Sequence, residues 1–192
     1  MTPNNPYKKL ENCSYVVVVA TNQLAFQITN IGGKDIFEGN KKLILAIIWQ
    51  AMRLNIFSIL NQLSFDDNEV TENGMIEWSN KKVIIGNAHG IDFKVAESGR
   101  NSSMQSFKDP TLKDAKFLID LINAIKPGSV DYDLVTPGNT EEELKLNAQY
   151  AISVARQIGC CIFLLWEDIV EVNHKMILTF VGSLIVLVSE KK

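Results

Sequence analysis

Apolar positions along this chain fall into helical stripes separated by short polar or glycine-containing breaks. The clearest stretch is 39–63, GNKKLILAIIWQAMRLNIFSILNQL, which no proline interrupts and whose Leu, Ala, Met, Gln and Arg favour helix. Leu43, Leu45, Ile47, Ile48, Trp49, Met52, Ile56 and Leu60 put apolar side chains on almost every face. That pattern predicts a helix at the centre of a bundle, not on its surface. Gln50, Arg53 and Asn55 within it argue against a membrane.

The other stretches are shorter. Residues 8–21, KKLENCSYVVVVAT, read two ways: the valine run has strand propensity, while KKLENC reads as a helix start. Residues 24–28 alternate briefly before the Ile31-Gly32-Gly33 break. Asp66–Glu69 is a polar turn, and 71–83 is an amphipathic helix with Met75, Ile76, Trp78 and Val83 inward. From 86 to 106 the text is polar and glycine-dotted, a long loop. Residues 111–126 carry Phe117, Leu118, Leu121, Ile122 and Ile125 on one stripe, stopped by Pro127-Gly128. Thr140 with Glu143 is a capping box that opens a helix through Ile158. Residues 160–165, CCIFLL, read as a short buried stretch, and 173–188 as a last helix capped by Asn173. The sum is a mainly helical single domain with four main helices and short connectors, preceded by a linker end at 1–6.

Composition excludes most alternatives. The chain has 192 residues, 46% hydrophobic and 21% charged, with a formal net charge of −3. It is too apolar for disorder and long enough for a real core. The balance offers no basic footprint for nucleic acid. MTPNNPYKKLENC lacks an apolar signal core, and the 13-residue apolar run 176–188 falls short of the roughly 20 residues a spanning helix needs. A buried terminal helix with no membrane span, in a cytoplasmic chain, is the expectation. Cys13, Cys160 and Cys161 form neither a disulfide framework nor a CxxC site.

Candidate chemistry is thin. IGGKDIFEGNKK lacks the order of a phosphate-binding loop, and Asp66–Glu69 lacks the glycine and the twelfth-position glutamate of a calcium loop. Glu171 and His174 form only half of a di-iron helix motif, with His89 the one other histidine. Neither Cys160 nor Cys161 has an evident base partner. No catalytic residue, metal site or cofactor is expected, and the chain is not read as an enzyme. Trp49, Met52, Trp78, Leu121 and Ile152 are expected in the core. Three basic pairs, Lys8/Lys9, Lys41/Lys42 and Lys81/Lys82, are either solvated helix ends or contacts for an acidic protein surface.

Several segments are similar to one family: KKLENC (8–13), IGGKDI (31–36), GNKKLILAIIWQAMR (39–53), SFKDP (106–110), FLIDLINAIKPGSVDYDLV (117–135), LNAQYAISVARQIGC (146–160) and EDIVEVNHKMIL (167–178). In this order they resemble the fourth, C-terminal calponin-homology domain of the fimbrin/plastin actin-bundling proteins. The resemblance implies an all-α fold with the 39–63 helix at its centre, residues 7–192 as one domain, and a helix over 8–21. It implies filamentous actin and sister calponin-homology domains as partners, an actin-cytoskeletal location and no catalysis. By resemblance, Tyr7, Lys8, Lys9, Leu10 and Asn12 lie near actin; Lys41 and Lys42 join them on charge alone. The chain departs from the family at Trp166, where proline is usual, at His174, and in a longer 84–101 segment. The alternative function is a calponin-homology domain that binds other proteins or its own sister domains with little direct actin affinity.

Overall fold

The computed structural model describes residues 5–62, 70–88 and 103–189, and every regular element among them is helical. The polar turn at 66–69 and most of the expected loop at 86–106 lie outside the described residues. The chain was expected as one domain over 7–192; its contacts group it into two compact units, Met1–Asn55 and Ile56–Lys192.

The first unit holds α1 (Pro6–Asn22), α2 (Gly33–Phe37) and the first part of α3 (Lys41–Gln62). Helix α1 starts where Asn5 Oδ1 accepts the Tyr7 N–H at 2.9 Å, with Pro6 in the first turn, where a missing N–H costs nothing. The valine run lies inside α1, so capping and proline placement override β-branched propensity here. Gly32 and Gly33 open α2: the Gly32 N–H donates to Asp35 Oδ2 at 2.8 Å. Gly33 is required because α1 passes so close that an added Cβ would sit 2.6 Å from Cα of Ser14. Gln50 ties α3 to the preceding loop, accepting from the Gln27 N–H at 2.7 Å and donating to the Gln27 carbonyl at 3.0 Å.

The second unit holds the rest of α3, then α4 (Glu72–Ala88), α5 (Lys116–Ile125), α6 (Glu141–Gln157), α7 (Trp166–Val170) and α8 (His174–Ser189). Helix α5 contacts α4, α6 and α8 and has seven of its ten residues buried, so it is the central helix of this unit. Leu118, Leu121 and Ile122 meet Ala148, Ala151, Ala155, Phe180, Val181 and Leu184 in one continuous core, which Ile56 and Leu60 join from the end of α3.

Three expectations are corrected. The 39–63 stretch is helical but not central: α3 is 22 residues long and its most apolar 18-residue window has mean hydropathy 1.8, yet only 6% of that window is buried. Its length and composition alone would let it cross a bilayer. Trp49 and Met52 are half-buried, and so is Trp78, whereas Leu121 and Ile152 are buried. An apolar pattern states how much surface a helix needs covered; it does not state what covers it. The helix expected over 111–126 breaks at Ala115, which has a φ of 59°. Asp109 and Pro110 start a separate 3₁₀ turn over Pro110–Asp114, and Asp114 Oδ1 then caps α5 by accepting the Lys116 N–H at 3.0 Å. The stretch 160–165 is not buried throughout. Cys160, Ile162 and Leu164 point inward, while Cys161, Phe163 and Leu165 are exposed, the period of an extended strand.

Candidate functional site: basic helix starts and an apolar groove

The residues singled out for an acidic partner fall in the first unit. Tyr7, Lys8, Lys9, Leu10 and Asn12 occupy the opening turns of α1; Tyr7 is 82% exposed, both lysines and Asn12 are exposed, and Leu10 is half-buried. Lys41 and Lys42 are the first two residues of α3, also exposed, behind Asn40, whose Oδ1 accepts the Leu43 N–H at 3.4 Å. Both pairs stand at helix N-termini. There the unpaired N–H groups already carry partial positive charge, so the lysines add to the helix dipole instead of offsetting it. This arrangement is unfavourable for the isolated helices and favourable for an anionic partner. Neighbouring cations are engaged differently: Lys34 pairs with Glu38 at 3.6 Å on the surface of α2. The third pair lies in the second unit, where Lys82 Nζ sits 5.7 Å from the ring centre of Trp78, within cation–π range.

Nothing among the described residues gathers three or more His, Cys, Asp or Glu in a metal-holding cluster. Glu171 is exposed and His174 half-buried at the start of α8. Asn173, expected to cap α8 with its side chain, turns its amide to Asp168 Oδ1 at 2.8 Å, while its carbonyl accepts the N–H groups of Met176 and Ile177. Cys160 is buried, with Sγ 3.8 Å from the Ser183 carbonyl, and Cys161 is exposed.

Two features escaped the sequence reading. Asn147 is fully buried at the hub of four hydrogen bonds: Oδ1 accepts from the Thr136 N–H and hydroxyl at 2.8 and 2.9 Å, and Nδ2 donates to the carbonyls of Asp114 and Thr136 at 3.1 Å each. A buried asparagine inside LNAQYAISVA carries no signal in the text, because its partners are 11 and 33 residues away. The second is a groove of about 350 Å³ beside α6, lined by Ile152, Ser153, Arg156, Leu164, Leu165 and Trp166 among others. CCIFLL has no polar residue to reveal its alternation, so its exposed half was invisible.

A calponin homology (CH) domain profile matches residues 1–56 and 91–188. The chain belongs to the calponin-homology family. The first matched segment ends within one residue of the boundary between the two compact units. Fimbrin-2 of Arabidopsis thaliana is 46% identical over 181 residues, covering 93% of this chain and 26% of that protein. Fimbrin of Saccharomyces cerevisiae is 43% identical over 94% of this chain and 26% of its own length. Human plastin-3 is 39% identical over 92% of this chain and 26% of its own length. The crystal structure of the actin-crosslinking core of Schizosaccharomyces pombe fimbrin superposes with a TM-score of 0.71 at 38% identity, covering 92% of this chain and 34% of that one. The chain therefore spans about a quarter of the length of these fimbrins and plastins. The all-α calponin-homology fold and the likeness to fimbrin and plastin expected from the sequence both hold.

Proposed function

We propose that this chain is an actin-filament-binding calponin-homology module of fimbrin/plastin type, acting in the cytoplasm at the actin cytoskeleton as a binding protein, not an enzyme. The observation that carries the reading is 38% identity over 92% of the chain to a fimbrin actin-crosslinking core, with the same fold. The exposed lysines at the starts of α1 and α3 supply the chemistry: Lys8, Lys9, Lys41 and Lys42, with Tyr7, Leu10 and Asn12 beside the first pair, face an acidic filament surface. Long-range steering is weak at a net charge of −3, so the contacts are local and salt-sensitive. High-speed co-sedimentation with filamentous actin tests this. Binding at low salt that falls on raising salt, and falls again in Lys8→Glu/Lys9→Glu, supports it. No pelleting at low salt turns the reading to its alternative, a calponin-homology chain that serves sister domains or other proteins.

Assignment of 7–192 to one C-terminal, fourth domain belongs to the same proposal. The two matched segments and the two compact units favour a second reading, in which each unit belongs to a different domain of a tandem. Calorimetry separates them: one cooperative unfolding transition fits one domain, and two transitions fit two.

A further inference from the structure

We draw no further inference here: the strongest candidate, the exposed apolar surface of α3 around Leu45, Ile48 and Leu54, carries nothing because nothing in the structure shows what covers it.

Discussion

Gly182 of α8 faces Ile56 near the end of α3 so closely that a β-carbon on the glycine would stand 2.6 Å from Cγ2 of Ile56. Met75 Cε of α4 is 3.4 Å from the same point, so the three helices meet where α8 has no side chain. Gly182→Ala forces Ile56 to move, and Gly182→Val has no room at all. Overpacking of this kind costs typically about 1–3 kcal/mol. The expected outcome is a lowered thermal midpoint in both variants, larger for valine, with Gly74→Ala as the comparison, an exposed helical glycine whose added β-carbon would meet nothing closer than Thr71 Oγ1 at 3.5 Å.

Asn147 tests the buried polar hub. Asn147→Leu leaves the Thr136 N–H and the carbonyls of Thr136 and Asp114 without their Asn147 partner inside the second unit, while the Thr136 hydroxyl keeps the Glu143 carbonyl at 3.0 Å. Each orphaned buried group costs about 1–3 kcal/mol. Asn147→Asp keeps the two acceptor bonds to Thr136 and sets a carboxylate against the two carbonyls that Nδ2 satisfied. Urea unfolding is expected to rank wild type above both variants by well over 1 kcal/mol, and a loss of a few tenths in either would show that the hub contributes little.

Asp109 makes stability depend on acid. Burial raises its pKa, but hydrogen bonds from the Gln105 N–H and from the N–H and hydroxyl of Thr111 outweigh burial, so the net displacement is downward from the ordinary carboxylate value. A depressed folded pKa contributes stability that is complete above the unfolded value, near 3.9, and is lost as pH falls through the folded value. Asp109→Asn is therefore expected to be less stable than wild type at neutral pH, with the gap closing below about pH 4. A gap of constant size from pH 7 to pH 3 would show that the charge is irrelevant.

Valency sets the limit of the proposed function. Crosslinking filaments requires two separated sites that engage at once. Low-speed co-sedimentation with this chain as a monomer is expected to leave actin unbundled under conditions where high-speed pelleting shows binding. Bundles formed by a demonstrably monomeric chain would falsify the one-site picture.

How much could be read in advance differs from element to element. Thr140 and Glu143 announced the start of α6, and the structure shows both halves of the box: the Glu143 N–H donates to Thr140 Oγ1 at 3.2 Å, and Glu143 Oε2 accepts the Thr140 N–H at 3.4 Å. The stripe from Phe117 to Ile122 became the buried face of α5. The basic pairs were visible as text, and their placement at two helix N-termini follows from Asn5, Pro6 and Asn40 next to them. Caps, stripes and charge pairs act within one or two turns, so the sequence alone determines them.

Tertiary structure alone decided which helix is central. α3 is more apolar along its length than the chain as a whole, yet α5, ten residues long, is the helix other elements surround. Burial belongs to the set of partners that reach a helix, and those partners lie far away in sequence. The same holds for Asn147, whose hydrogen bonds span up to 33 residues, and for Gly182, whose need for glycine exists only because Ile56 arrives beside it. It holds as well for 160–165, where six apolar residues conceal a strand-like alternation until the folded chain buries Cys160, Ile162 and Leu164 and leaves Cys161, Phe163 and Leu165 exposed. Local hydrogen bonding and hydrophobic periodicity are properties of neighbouring residues; close approach and exposure are properties of the assembled chain.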